Sequence, residues 1–258
     1  MSSIDERLSA FKSISLDEIK SADVGLMNRI DSKYLLTYPD LLKLLHELNS
    51  DYKILEINDT KLHGYETLYF DTDHCDYYMM HHNKKGTRIK VRVRKYVVNG
   101  LIFLEVKEKS NKQVTAKKRI PVSFFPNKLS EITDLITEQG FQMRAEELYP
   151  QLWTVFERIT LVNPVLKERL TIDLNLHIRN DACDICCKDM VVVELKREKS
   201  QADSPVSEWM KHLNIREEGF SKYTIGSALI SDTLKKNNFK HKLAELKSKF
   251  EFDIAFQH

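Results

Sequence analysis

Residues 88 to 94 read R-I-K-V-R-V-R, so Arg88, Lys90, Arg92 and Arg94 take alternate positions and Ile89, Val91 and Val93 the others. Alternate residues of an extended chain share a face. Like charges at a same-face spacing of roughly 7 Å repel unless a polyanion or a set of carboxylates faces them. The pattern recurs. Glu105, Lys107 and Lys109 alternate with Leu104, Val106 and Glu108, and beyond a turn at Ser110-Asn111, Lys117 and Arg119 share a face. Arg158 sits in V-F-E-R-I-T, while Arg169, Thr171, Asp173, Asn175 and His177 alternate with Leu170, Ile172, Leu174 and Leu176. Glu194 and Lys196 end V-V-V-E-L-K, and Arg29, Asp31 and Lys33 repeat the alternation near the start. Arginine forks and lysine ammoniums arrayed over several strands suit a run of phosphates, and carboxylates among them, Glu194 with Glu105 and Asp173, suit a divalent cation. Ser221-Lys222-Tyr223 at a helix start adds an anion site, because free backbone N–H groups and the positive dipole end point outward there.

These side chains need at least six strands, each apolar on one face and charged on the other. A charged sheet backed by helices would satisfy the pattern, and so would a closed barrel with polar faces inward. The basic excess on the patterned faces, in a chain that is nearly neutral overall, favours the barrel, because buried charge is tolerated only when paired, hydrated or holding a ligand. Helices are expected from Ser15 with Glu18, from Pro39 with a stripe of leucines, over 128–139, over 205–214 from Ser204-Pro205, and in a C-terminal pair over 221–250.

Lys plus Arg total 40 against 38 Asp plus Glu in 258 residues, a net charge of +2. That balance excludes a globally basic nucleic-acid binder and makes any anion site local. No apolar run reaches the ~18 to 20 residues of a membrane span, and the N-terminus lacks a signal-peptide pattern, so a cytoplasmic protein of one domain, 1–258, is expected. Cys183, Cys186 and Cys187 with His177 lack a second metal-ligand half, so they are read as reduced thiols near a hairpin tip at Asn180 and Asp181. No P-loop, dinucleotide-binding, zincin or hydrolase-elbow motif is present.

The pieces R-I-D-S-K-Y, L-Y-F-D-T, R-I-K-V-R-V-R, F-L-E-V-K, K-K-R-I, E-R-I-T, R-L-T-I-D, V-V-V-E-L-K and S-K-Y, in this order over about residues 25 to 230, resemble the vacuolar transporter chaperone (VTC) polyphosphate polymerase domain of the triphosphate tunnel metalloenzymes. The resemblance implies an α+β fold: an eight-stranded antiparallel β-barrel tunnel with a charged lumen and helices outside. It implies transfer of the γ-phosphoryl of ATP to a polyphosphate or pyrophosphate end, releasing ADP, with Mn2+ or Mg2+. It also implies Lys33, Arg92, Arg94, Lys107, Arg158 and Lys222 as catalytic phosphate ligands, Lys90, Lys117, Arg119, Lys196 and Ser221 as substrate ligands, and Glu194 and Glu105 as metal carboxylates. The sister branch of triphosphatases and cyclases opens with E-x-E-x-K, where this chain has Arg29, Asp31 and Lys33, which argues against a two-metal hydrolase. A metal-dependent triphosphatase and a polyphosphate-binding module without turnover stay open as alternatives.

Overall fold

The computed structural model describes residues 4–21, 29–111, 115–141, 143–199 and 204–256, with the Arg29 side chain outside that description. The first half of the chain forms α1 (Ile4–Ser9), β1 (Lys12–Ile14), α2 (Leu16–Ser21), β2 (Arg29–Thr37), α3 (Tyr38–Leu48), β3 (Lys53–Leu55), β4 (His63–Asp71), α4 (Asp76–His82), β5 (Arg88–Tyr96), β6 (Ile102–Lys109) and β7 (Thr115–Val122). The second half adds α5 (Thr133–Glu138), β8 (Tyr149–Asn163), β9 (Glu168–Arg179), β10 (Cys183–Cys187), β11 (Met190–Glu198), α6 (Pro205–His212), α7 (Lys222–Ile230), α8 (Lys240–Lys249) and β12 (Phe252–Phe256). The fold is mixed α+β.

Helix starts follow their capping residues. Ser15 N–H donates to Glu18 Oε2 at 2.8 Å and Glu18 N–H donates to Ser15 Oγ at 3.2 Å, a reciprocal capping box that opens α2. Thr37 caps α3 ahead of Pro39, and the stripe Leu41, Leu44, Leu45 and Leu48 is buried. Ser204 caps α6 with Pro205 in its first turn. The helix expected over 128–139 is broken into a 3-10 turn, Leu129–Ile132, and the short α5.

The chain divides into two compact units, and β8 and β9 contribute to both. The first comprises residues 1–64, 156–176 and 188–220. In it β2, β11 and the start of β9 lie side by side and antiparallel, and β1 runs parallel to β3. Its core is built from α3, α6 and the apolar faces of these strands: Leu36, Leu44, Leu45, Ile172, Val193, Val206 and Met210 are buried together.

The second unit comprises residues 65–155, 177–187 and 221–258. There β4, β5, β6 and β7 form an antiparallel meander, and β10 pairs with β12. Its core holds the alternate apolar residues of that meander, Leu68, Val91, Val93, Leu104, Val106 and Ile120, against Leu129, Ile132 and Ile136. In β5, β6 and β7 the alternation read from the sequence therefore selects the face that enters this apolar core.

The closed barrel expected from the sequence is corrected here. Among the described residues the sheet does not close: β7 pairs with β6 alone and β2 with β11 alone. Both edges are blocked chemically. β7 carries Pro121, which lacks a donor, together with exposed Lys117, Lys118 and Arg119, features that keep an edge strand from taking another partner. At β2 the Glu218 backbone N–H donates to the Lys33 carbonyl at 2.8 Å, so the loop after α6 occupies that edge. Among the described residues, no helix is long and apolar enough to cross a membrane.

Candidate polyanion-binding site

The meander of the second unit sets a cationic face by register. Arg88, Lys90, Arg92 and Arg94 of β5 stand opposite Lys109, Lys107, Glu105 and Phe103 of β6. Lys107 and Glu105 in turn stand opposite Lys117 and Arg119 of β7. Directly opposed residues point to the same side of a sheet. Across β5, β6 and β7 one face thus carries eight cations, Arg88, Lys90, Arg92, Arg94, Lys107, Lys109, Lys117 and Arg119, around the carboxylate of Glu105. Lys90, Lys107 and Lys117 form a row of like charges straight across three strands, an arrangement that is unfavourable without a counter-ion.

Glu105 is 2% exposed. Arg92 Nε and Nη2 reach its Oε2 at 2.8 and 2.6 Å, and Lys117 Nζ donates to Oε1 at 2.8 Å. Burial alone would raise the pKa of this carboxyl, but Arg92, Arg94 and Lys117 outweigh it and hold the pKa down at about 2. Although the Lys117 side chain is exposed overall, its ammonium end is partly shielded from water beside Glu105, and that desolvation lowers its pKa against the pull of the carboxylate. Arg94 Nε donates to Thr67 Oγ1 at 3.0 Å, and the Arg119 guanidinium lies 4.4 Å from the centre of the Phe103 ring.

Ser221 caps α7, its Oγ accepting from Thr224 N–H at 3.2 Å and from Lys90 Nζ at 3.0 Å. With two bonds accepted, the hydroxyl's own proton is what it can donate to a further acceptor. Lys222 follows in the first turn, where the helix dipole adds positive potential. The structure therefore places Lys90, Arg92, Arg94, Glu105, Lys107, Lys117, Arg119, Ser221 and Lys222 in the second unit.

Lys33, Arg158, Glu194 and Lys196 fall in the first unit. Lys33 stands opposite Glu194 across β2 and β11, and Asp31 stands opposite Lys196. Lys33 Nζ and Lys196 Nζ both donate to Glu194 Oε1, the latter at 2.7 Å. Burial opposes ionisation of Glu194, yet the two ammoniums keep its pKa far below the ordinary carboxylate value. Lys196 has its pKa lowered by burial more than Glu194 and Asp31 raise it. Arg158 grips Asp173 bidentately, Nε to Oδ1 at 2.5 Å and Nη2 to Oδ2 at 2.8 Å. Thr171 is the cross-strand neighbour of Glu194 on β9, and its Oγ1 is buried with no hydrogen-bond partner among the described residues.

Among the described residues no three His, Cys, Asp or Glu side chains form a preformed metal cage. At Glu194 the two lysines crowd Oε1, so Oε2 and the Thr171 hydroxyl across the ladder are the oxygens there of the kind a hard divalent cation takes. At Glu105 both oxygens are engaged by Arg92 and Lys117. Cys183 and Cys187 are buried on β10 and all four cysteines are free thiols.

Three contributors escaped the sequence reading, Thr67, Tyr69 and Asp71. They alternate along β4 as the charged residues do along β5, and that alternation is the signal that marks them.

The sequence matches the VTC domain family model over residues 28–231. No curated protein matches it. Among solved structures, a candidate adenylate cyclase from Bacillus halodurans is 14% identical with a TM-score of 0.47, covering 75% of this chain and 94% of that one. A candidate adenylyl cyclase from Hippeastrum, described as having a dominant triphosphatase activity, is 17% identical with a TM-score of 0.45, covering 80% and 99%. The family match spans well over half of the sequence and contains every cationic strand described above; the chain belongs to the VTC domain family.

Proposed function

We propose that this protein is an ATP:polyphosphate phosphotransferase that extends an inorganic polyphosphate chain and releases ADP. The observation that carries this reading is the length of the cationic strip. From Arg88 to Arg94 the charges of β5 run for about 20 Å at the rise of an extended strand. That is longer than a triphosphate, and it is widened on β6 and β7 by Lys107, Lys109, Lys117 and Arg119. A linear chain of phosphates can follow such a strip from end to end, which a single triphosphate is too short to do.

Phosphoryl transfer asks little covalent chemistry of a protein, and positioning with charge neutralisation supplies most of the rate. In the proposed reaction a terminal phosphate oxygen of the chain attacks the γ-phosphorus of ATP, the bond from that phosphorus to the β,γ-bridging oxygen breaks, and ADP leaves. Arg92, Arg94, Lys107 and Lys222 bind and orient phosphates, and Lys90 and Ser221 act as one hydrogen-bonded unit at the start of α7. Lys33, Lys196 and Arg158 carry the same role in the first unit. Glu194, with the Thr171 hydroxyl beside it, would hold Mn2+ or Mg2+, which supplies neutralisation of charge on phosphate oxygens.

The test incubates purified protein with ATP and Mn2+ or Mg2+, with and without a pyrophosphate primer, and resolves the products by gel electrophoresis and phosphorus NMR. Long chains together with ADP are expected. Free phosphate alone would make the protein a triphosphatase, and tight polyphosphate binding without turnover would make it a binding module.

A further inference from the structure

Strand β4 buries three polar side chains at alternate positions: Thr67 and Tyr69 hold arginines of the cationic face, and Asp71 holds Tyr223 at the start of α7. Thr67 accepts from Arg94 Nε at 3.0 Å. Tyr69 stands directly across the ladder from Arg92, and its hydroxyl accepts from Arg92 Nη1 at 3.5 Å. Asp71 accepts from the Tyr223 hydroxyl, and its oxygens are otherwise filled by the backbone N–H groups of Thr72, Tyr77 and Tyr78 at 2.8, 2.9 and 2.8 Å. The Tyr69 and Tyr223 rings stack at 5.1 Å between centroids with 23° between planes.

Tyr223 directly follows Lys222, so whatever fixes its ring also fixes the first turn of α7. Tyr69 therefore touches both halves of the site, the Arg92 guanidinium through its hydroxyl and the Ser221-Lys222 turn through its stack on Tyr223. An apolar strand would fill the same space without desolvating three polar groups, each of which carries a cost when buried. Thr67 and Asp71 are 0% exposed and Tyr69 is 4% exposed, so none of the three is a solvent-facing polar residue. Burial pushes the Tyr69 phenol up, but Arg92, Arg94 and Lys222 outweigh it and hold its pKa below the usual tyrosine value, as expected for a hydroxyl set among cations.

We propose that Tyr69 is a positioning residue of the polyanion site, its hydroxyl and ring locking Arg92 and the start of α7 into one spacing that matches successive phosphates. This inference rests on the polyphosphate reading above and adds a residue through which that site is assembled.

A double-mutant cycle tests it. Tyr69→Phe keeps the ring stack and removes the hydroxyl, and Tyr223→Phe keeps the stack and removes the bond to Asp71. Affinity for tripolyphosphate is measured by calorimetry without nucleotide or metal, beside the thermal midpoint of each variant. Each single change is expected to weaken binding about five- to tenfold, and the double variant by no more than the larger single effect, because both break one linkage. A side chain with a merely structural role would lower the midpoint without this coupling in affinity. If Tyr69→Phe folds and binds like the parent, or if the two losses multiply, the inference is overturned. If Tyr69→Phe does not fold, full affinity in Tyr223→Phe overturns it alone. A parent protein that does not bind tripolyphosphate would instead sink the polyphosphate reading, and this inference with it.

Discussion

Arg92 stands directly across the β5–β6 ladder from Glu105 and closes two guanidinium nitrogens on one oxygen of that buried carboxylate. The row R-I-K-V-R-V-R is therefore relieved internally at its third charge, with Lys117 on the other oxygen of Glu105. Glu105 then works as a counter-ion built into the cationic face. Glu105→Gln leaves Arg92, Arg94 and Lys117 without it, and breaking a buried pair on one side is expected to lower the thermal midpoint by about 5 to 15 °C. Added tripolyphosphate should restore most of that loss, because a bound anion replaces the missing charge. A midpoint that tripolyphosphate leaves unmoved would count against the cationic face as an anion site.

Glu194 has the opposite logic. Two lysines, Lys33 and Lys196, crowd one of its oxygens, and the orphaned Thr171 hydroxyl lies across the ladder. Glu194→Gln is expected to raise the Mn2+ concentration required for half-maximal turnover by about tenfold or more, while nucleotide affinity measured without metal changes by less than about threefold. An unchanged Mn2+ titration would take the metal away from Glu194.

Much of this site is legible in the sequence because half-buried strands alternate with a period of two, so R-I-K-V-R-V-R states which side chains face the core and which do not. What alternation cannot state is which strand lies beside which. The closed barrel fails for that reason: Pro121 on β7 and the Glu218 N–H on the Lys33 carbonyl are edge features whose effect depends on neighbours distant in sequence. Helix α4 is hidden for a related reason. It starts from Cys75 at a left-handed φ of 55°, no side chain at that position caps it, and residues upstream take its first N–H groups instead: the Thr72 hydroxyl that of Asp76, the Asp71 carboxylate those of Tyr77 and Tyr78. Tyr69 reads as core in the sequence, and it is buried; only its place opposite Arg92 reveals that its hydroxyl belongs to the polar face.

Arg158 closes Nε and Nη2 on Asp173, and that fork sets the plane of its guanidinium. Arg158→Lys keeps the charge and loses the planar double contact. The expected outcome is a loss of stability on the order of 1 to 3 kcal/mol, read from the urea midpoint, together with about a tenfold loss of tripolyphosphate affinity. Lost stability with unchanged affinity would remove Arg158 from the phosphate ligands.

The last turn of α4 supplies a pH dependence whose sign can be worked out. His81 Nε2 is buried without a hydrogen-bond partner among the described residues. Burial first, then the charges of Lys90, Arg88 and Lys107, push its pKa down to about 3 from an ordinary 6.5. Between those two values the unfolded chain binds a proton that the folded chain refuses, so stability rises with pH across this window. The stabilisation is complete above pH 6.5 and is lost progressively as the pH falls towards 3. Denaturant midpoints taken at steps from pH 7 to 4 should therefore decline, and His81→Gln, which cannot take up the proton, should flatten the part of the decline that begins near 6.5. The same loss of midpoint in His81→Gln as in the parent over that range would show that the imidazole does not remain neutral beside Lys90, Arg88 and Lys107.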